Sequence, residues 1–344
     1  MPGTSPGYLA SLATVAPPPI TGVYTGDVAI LDTLSYDRFA AVTKIVGNLY
    51  VSSPLQAATF AHLTEVTGDV FLFCPGTVAM PALTTVGGGL VVTIGEFVAA
   101  LLATVGGAFV VEDAAFDSSH VVSFANLVSV GSFSLDNSDS VTTLNLPALV
   151  ACGDLTVRDC LLLTTATILG GAFTGDIDVR GCAVLNTLSM PSLTAANNLL
   201  FGGPVMDELP VLVNLDLTAL ATVAGDCTLT GMVGLLVLDL SALTAVAGDF
   251  WVYDNTALTD IDLDLLASVG GNFTVDGQTA FGVGSLGVPV CLPSLVSVGL
   301  LNAGSVVVTD NTGLTNVVAT TIVAPGSVLV VGGWVGASTI AGNG

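Results

Sequence analysis

Several aspartates in this sequence directly follow a glycine that recurs along the chain, and their type and spacing could bind a cation. The calcium candidates in this column are Asp154, Asp176, Asp226 and Asp249. Carboxylates stacked about 4.8 Å apart on parallel strands would repel one another, and a hard cation such as Ca²⁺ would relieve that repulsion. The alternative is that each side chain accepts hydrogen bonds from turn N–H groups. No two acidic positions recur at the close spacing of known calcium loops, which favours this alternative.

Two of the six cysteines could form a disulfide. Cys160 and Cys182 each lie seven residues after a recurring glycine, so stacking of the chain would bring them together. A bond between them would indicate an oxidising compartment. The other interpretation is two free thiols in equivalent turns. No C-x-x-C pair is present, which argues against a zinc site.

Half of the positive charge of the chain lies in one place. Arg158 and Arg180 each follow a recurring glycine by five residues, beside Asp159 and Asp178. A local ion-pair cluster is the ordinary interpretation, and exposed pairs stabilise a protein little. A site for an acidic ligand is the alternative.

The sequence offers little for catalysis. His62 and His120 share no evident nucleophile, and no G-x-S-x-G motif occurs. Residues 282–287 match G-x-G-x-x-G, but Val288 and Pro289 follow where a dinucleotide site needs a helix. We therefore expect no enzymatic activity and no cofactor beyond the calcium considered above.

The elements that position these residues come from a repeat that begins with glycine. Fourteen copies, 19 to 33 residues apart, start at Gly26, Gly47, Gly68, Gly88, Gly107, Gly131, Gly153, Gly175, Asn197, Gly225, Gly248, Gly271, Gly304 and Gly326. The second and fourth residues after each anchor are apolar, and the first is Asp, Asn or Ser in 12 of the 14 copies. Alternation of this kind predicts a short strand with one buried face, and repeats of this length predict a solenoid.

A second apolar stretch precedes each glycine, and the consensus reads L-x-x-L-x-L-P-A-L-x-x-V-G-G-D-F-x-V-x-D-N. Over roughly residues 25–332 it resembles the leucine-rich-repeat-like right-handed β-helix of receptor L domains and of fungal cell-wall proteins. We predict an all-β fold, a right-handed parallel β-solenoid of about fourteen coils with few helices. The domain covers residues 25–332, between an uncharged tail or cap at 1–24 and a tail at 333–344, and it has inserted loops near 202–214 and 276–291. These loops either contain a binding site or are insertions that the fold tolerates and that have no function.

Composition limits the partners. The chain has 4 Lys+Arg against 27 Asp+Glu, a net charge of −23, which disfavours nucleic acid and anionic membranes. The apolar tract at 312–344 is broken by Pro325 and glycines, so no membrane insertion is expected. Residues 1–20 do not resemble a secretory signal. The resemblance nevertheless implies an extracellular or surface-exposed location, such as a cell wall, an extracellular fibre or a virion surface.

Outward apolar residues and the chain ends suggest what the protein contacts. The expected interaction surface consists of Tyr50, Phe71, Phe73, Trp251 and Trp334, and no charge occurs before Asp27 or after Asp310. Solenoids normally end in polar caps. We therefore expect a non-enzymatic structural or surface protein that assembles with itself into a filament, fibre or layer, unless the tails fold back as caps. The rival function is a recognition or adhesion module that binds protein or carbohydrate along one flank.

Overall fold

The chain winds into a stack of coils in which successive coils add parallel strands to the same three faces. The structure is a computed structural model. It describes residues 18–52, 57–73, 75–93, 96–112, 120–203 and 207–278, and beyond these the backbone of five short strands between 290 and 331. All strand pairs within these ranges are parallel, and the described residues contain a single helix, α1 (Thr33–Phe39). The predicted β-solenoid with few helices is confirmed.

Face A consists of the strands that follow the repeat anchors, each paired with the next one along the stack. These strands are β2 (Val28–Ile30), β4 (Leu49–Val51), β7 (Val70–Leu72), β10 (Leu90–Val92), β12 (Thr104–Glu112), β14 (Ser129–Asp136), β17 (Leu155–Arg158), β19 (Ile177–Arg180), β22 (Leu199–Phe201), β25 (Cys227–Thr230), β28 (Phe250–Tyr253), β31 (Phe273–Asp276), β34 (Val306–Thr309) and β36 (Val330–Val331).

Face B is formed by the residues just before each anchor, including the first residues of β12 and β14. Its other strands are β1 (Gly22–Thr25), β3 (Val42–Val46), β6 (Glu65–Val66), β9 (Thr85–Val86), β16 (Ala151–Cys152), β21 (Ala195–Ala196), β24 (Thr222–Val223), β27 (Ala245–Val246), β30 (Ser268–Val269) and β33 (Ser297–Val298).

Face C lies in the middle of each repeat and is divided into three sheets. The first contains β5 (Ala57–Thr59), β8 (Thr77–Ala79) and β11 (Glu96–Val98); the second β13 (His120–Ser123), β15 (Val141–Leu146), β18 (Thr165–Ile168), β20 (Thr187–Ser189) and β23 (Asn214–Asp216); the third β26 (Val237–Asp239), β29 (Asp260–Asp262), β32 (Val290–Leu292) and β35 (Val317–Ala319). The second division comes directly after β23, the face C strand of the 28-residue coil from Asn197 to Gly225 in which the sequence predicts an insertion.

The number of turns is slightly lower than expected. The twelve strands of face A from β2 to β31 enclose about eleven turns of chain, against about fourteen predicted coils. The difference falls at the C-terminal end, because beyond Gln278 the structure describes only short strand backbones, of which β34 and β36 continue face A.

The predicted core columns are buried in all twelve of these coils. None of the residues two or four positions after their anchors is more than 8% exposed. The rings of Phe250 and Phe273, on adjacent strands, stack with centroids 5.1 Å apart and planes within 7°. Burial of this column, with the leucines that line the corners, supplies the main driving force for stacking.

A left-handed residue turns the chain from face A toward face C. Asn137, Asp159 and Asp254 have φ angles of 48°, 51° and 56°, and each lies six residues after its anchor. Glycine occupies the same position in three other coils, at 181, 231 and 277, also with positive φ. Asn, Asp and Gly are the residues that accept this backbone at low cost, which explains the composition of the turn.

In several of these coils the next residue is buried, and its side chain donates a hydrogen bond to the coil before it. Ser138 Oγ lies 3.3 Å from the carbonyl oxygen of Val111, Asn255 Nδ2 lies 3.0 Å from that of Leu229, and Gln278 Nε2 lies 3.3 Å from that of Val252. Each accepting carbonyl belongs to the fourth residue after the preceding anchor. This donor column satisfies carbonyl groups that the corner would otherwise bury without a partner.

Helix α1 covers one side of the N-terminal end. Asp32 caps it, accepting from the Ser35 amide at 2.7 Å, while Ser35 Oγ accepts from the Asp32 amide at 3.1 Å. Tyr36 reaches the first strand of face C: its hydroxyl donates to the Thr59 carbonyl oxygen at 2.9 Å and accepts from the Thr59 amide at 3.1 Å. One side chain thus satisfies the backbone at the outer edge of β5, as a neighbouring strand would.

Candidate interaction surfaces

The four calcium candidates all use a side-chain oxygen to hold the next coil. The Oδ1 atoms of Asp154, Asp176, Asp226 and Asp249 accept hydrogen bonds from the backbone N–H of Asp176, Asn198, Asp249 and Asn272 at 2.9, 3.1, 2.8 and 2.6 Å. Asp27, Asn48 and Asp69 do the same in the first coils, at 2.7 to 2.8 Å. Each of these side chains therefore accepts its hydrogen bond from an N–H group of the neighbouring coil and not from a turn of its own coil.

We call these stacked Asp and Asn side chains the Asx ladder, and their surroundings bear on whether a cation could bind there. Within the described ranges no group of three or more His, Cys, Asp or Glu side chains is placed to hold a metal ion. Although burial opposes its charge, hydrogen bonds from the Asn197 side chain and from Asn198 hold the pKa of Asp176 below its ordinary value. Amide groups thus stabilise the carboxylate in the way a cation would. Calcium binding stays a prediction.

Cys160 and Cys182 lie in the donor column of two successive coils, where both are fully buried free thiols. Cys160 Sγ is 3.1 Å from the carbonyl oxygen of Arg158 and 3.7 Å from that of Leu135. A hydrogen bond with the Cys182 thiol, together with burial, raises the pKa of Cys160. In the structure these two residues are thus neighbouring free thiols that serve as weak donors at the corner, and the disulfide between them stays a prediction.

The arginine cluster is organised around a buried carboxylate. Asp178 accepts hydrogen bonds from both Nε and Nη2 of Arg158, and Arg180 Nε lies 3.0 Å from its Oδ1 in an ion pair. Arg180 also reaches Asp207, with 3.7 Å between Nη1 and Oδ2. The two guanidinium groups are therefore engaged within the chain, which supports the ion-pair interpretation over a site for an acidic ligand.

Three of the five predicted surface residues form one exposed strip on face A. The rings of Tyr50 and Phe71 stack with centroids 4.9 Å apart and planes within 7°, and Phe73 lies 6.2 Å from Phe71 within 11°. Tyr50 and Phe73 are exposed. Because the ring faces cover one another, the strip presents mainly ring edges.

The other two residues do not join this strip. Trp251 is exposed on the same face but lies nine coils from Tyr50, about 43 Å at the spacing of parallel strands. Trp334 lies outside the described residues. Because the residues are of similar type, the sequence suggested a single surface. In the structure Trp251 lies too far along the stack from Tyr50 to share one surface with it.

A second apolar surface, which was not predicted from the sequence, lies at the corner between faces A and C. We call it the corner ridge. It spans four successive coils and consists of Leu161, Leu162, Val184, Val211, Val213, Leu236 and Val237, each 38 to 57% exposed. The signal was in the sequence, because exposed apolar residues stand directly beside the buried leucine of this corner. They precede it in Leu161-Leu162-Leu163, follow it in Leu235-Leu236-Val237 and stand on both sides in Val211-Leu212-Val213.

The N-terminal end carries two strands with a partner on one side. In the described part of the chain, β1 pairs with β3 and β2 pairs with β4, and no other strand pairs with either of them. Helix α1 covers the face C side of this end. Val23 in β1 is 62% exposed, and Ala29 in β2 is also exposed. Among the residues that the structure describes, no strand therefore covers the outer edges of faces A and B at this end.

These features define a class: a parallel β-solenoid repeat protein with exposed apolar surfaces. No protein-family model, no curated protein and no solved structure matches the chain. The predicted solenoid architecture is confirmed by the stacked parallel coils, whereas the resemblance to receptor L domains and leucine-rich-repeat-like proteins stays a prediction. In the described ranges no helix is long and apolar enough to cross a membrane.

Proposed function

We propose that this chain is a non-enzymatic structural protein that associates with copies of itself through the N-terminal end of the solenoid. The observation that carries the proposal is the pair of one-sided strands at that end, β1 and β2. In β2, Val28 and Ile30 bond toward β4, so the N–H and C=O of Ala29 point away from the stack. A row of such groups is a template for another strand.

A second copy supplies a partner of matching shape, because its own end presents the same strands. Contact between two such ends is isologous and closes as a dimer. A filament needs an equivalent contact at the other end of the solenoid as well. Each copy carries a net charge of −23, so the copies repel at long range, and salt should strengthen their association by screening that repulsion.

A structural role and a surface-exposed location agree with the resemblance noted above, and the stacked rings of Tyr50 and Phe71 give the same solenoid an apolar flank. The alternative, a recognition or adhesion module that binds protein or carbohydrate, would use a flank instead of an end. Variants at the N-terminal end should therefore abolish self-association, whereas variants on a flank should abolish binding by a recognition module.

Sedimentation velocity at 1 to 100 µM in low and in 0.5 M salt tests the proposal. We expect a concentration-dependent dimer or larger species that salt strengthens. Val23→Lys combined with Ala29→Pro should give monomers, because a charge and a missing N–H block the edge strands. The matched control is Val121→Lys, since Val121 is 64% exposed on face C. A wild-type monomer under all these conditions, or equal loss of association in the control, would overturn it.

A further inference from the structure

The corner ridge is a continuous surface, because each of its coils contacts the next. The Asn186 amide donates to the Thr164 carbonyl at 2.9 Å, and the Val213 amide donates to that of Asn186 at 3.1 Å. In the following coil Gly234 lies against the backbone of residues 210–212. The ridge residues therefore lie on adjacent coils of one corner, where their exposed side chains make an apolar stripe along the solenoid. An exposed apolar stripe of this kind is unusual on a protein that binds no partner.

Carboxylates border the C-terminal end of this stripe. Val237 is paired in register with Asp260 on the adjacent strand, and Asp239 is paired with Asp262. Burial and the neighbouring Asp262 and Asp264 raise the pKa of Asp260, so these groups repel one another. We call Asp239, Asp260, Asp262 and Asp264 the acidic edge of face C.

The chain has no cation of its own to offer these carboxylates. Its four basic residues are all described and all engaged elsewhere: Lys44 pairs with Glu65, Arg158 and Arg180 with Asp178, and the Arg38 guanidinium lies over the Phe39 ring. A positive charge at the acidic edge must therefore come from outside the chain.

We propose that the corner ridge and the acidic edge together bind a basic segment of a partner protein that carries apolar side chains between its Lys or Arg residues. The apolar side chains would cover the ridge, and the cations would meet Asp239, Asp260 and Asp262. A second copy fits this surface poorly, because it would bring two acidic edges together. Nucleic acid and anionic lipid are repelled by the same carboxylates. This proposal is independent of association through the N-terminal end.

The test uses three fluorescein-labelled twelve-residue peptides and fluorescence anisotropy with the full chain. The first contains six Lys and six Leu, the second replaces Lys with Glu, and the third replaces Leu with Ser. We expect the Lys/Leu peptide to bind at least tenfold more tightly than either of the others. Its binding should weaken in 0.5 M salt without disappearing, since only the charge contribution is screened.

Paired variants locate the site. Leu236→Ser with Val237→Ser, and separately Asp260→Asn with Asp262→Asn, should each weaken binding about tenfold. The matched controls are Leu101→Ser with Val150→Ser, on other parts of the surface, and Asp37→Asn with Glu112→Gln, which changes the net charge by the same two units. Controls should change binding less than twofold.

Three results would overturn the proposal. The first is equal weakening in the charge-matched control, which would mean general attraction of a cation to a chain of net charge −23. The second is equal affinity of the Lys/Ser peptide, which would remove the role of the ridge. The third is dissociation of a dimer by Leu236→Ser with Val237→Ser, which would assign the ridge to a second copy. Circular dichroism of each variant confirms that the solenoid is intact.

Discussion

The Oδ1 atom of Asp249 occupies the space that a β-carbon at position 271 would need. Asp249 follows its anchor glycine, and Gly271 is the anchor of the next coil, so the two residues face each other across a single step of the stack. The same relationship joins Asn48 to Gly68, Asp69 to Gly88, Asp154 to Gly175, Asn198 to Gly225 and Asp226 to Gly248. The Asx residue and the following glycine therefore form one structural unit, in which the glycine makes room for the side chain that bonds the coils.

The coupling between Asp249 and Gly271 can be measured with a double-mutant cycle. Gly271→Ala should lower the free energy of unfolding by about 2 kcal/mol, because the added methyl group overlaps the carboxylate. Asp249→Ala should cost about 1 kcal/mol through loss of the bond to the Asn272 amide at 2.6 Å. In the Asp249→Ala background most of the cost of Gly271→Ala should vanish. Urea unfolding of the four proteins gives the coupling energy.

Additive effects of the two substitutions in this cycle would contradict the conclusion that Asp249 and Gly271 form one structural unit. They would mean that the Asp249 backbone nitrogen, 3.0 Å from the added methyl group, and not the carboxylate, opposes alanine at 271. The one described copy without an anchor glycine follows the same logic. There Asn197 stands in the place of the glycine and donates from Nδ2 to Asp176 Oδ1 at 2.7 Å. Its side chain thus bonds the carboxylate instead of leaving room for it.

The fold could be predicted from the sequence because its columns report burial directly. Alternating apolar residues such as Phe250 and Val252 specify an inward face, and the polar residue before them specifies a turn. The pairing partner was harder to predict. The Asp249 side chain bonds a residue 23 positions away, and nothing local distinguishes that bond from an ordinary Asx turn.

The surfaces were less predictable than the core for a physical reason. An outward residue has no partner within its own repeat, so its neighbours depend on the stacking register. Tyr50 and Phe71 are neighbours because their coils are adjacent, and Trp251 is isolated because its strand neighbours are Thr228 and Thr274. The corner ridge was overlooked because Leu236 and Val237 lie beside the buried Leu235 and resemble part of the same core run.

Helix α1 should stabilise the N-terminal end through one hydroxyl group. Tyr36→Phe should lower the free energy of unfolding by about 1 kcal/mol and speed hydrogen exchange at the Thr59 amide, because both bonds to Thr59 are lost. The edge-to-face contact with Phe60, at 5.5 Å, is retained by the phenylalanine ring. Tyr24→Phe serves as the control, since the Tyr24 ring packs on Phe39. Equal exchange at Thr59 in both variants would show that the hydroxyl does not close this edge.

The four described cysteines should be inaccessible in the native protein. Burial raises the pKa of Cys152 and that of Cys227 to about 12, so neither forms much thiolate at pH 9. Iodoacetamide should therefore modify none of these four in the folded chain and all four after unfolding in guanidinium, as read by peptide mass spectrometry. If Cys160 and Cys182 resisted modification after unfolding until a reductant was added, the two would be a disulfide.

Asp260 should be the carboxylate whose titration reports the acidic edge of face C. Burial, Asp262 and Asp264 raise its folded pKa, so above that pKa its charge disfavours the folded state, and below the unfolded pKa the effect is gone. Asp260→Asn should therefore stabilise the protein slightly at pH 7, by no more than about 0.5 kcal/mol because solvent screens the charge of this half-buried group, and leave it unchanged at pH 3. Carboxyl carbon NMR should place the Asp260 midpoint above the ordinary aspartate value, and Asp262→Asn should lower it. A midpoint that Asp262→Asn does not move would mean that burial alone sets it and that the repulsion at this edge is negligible.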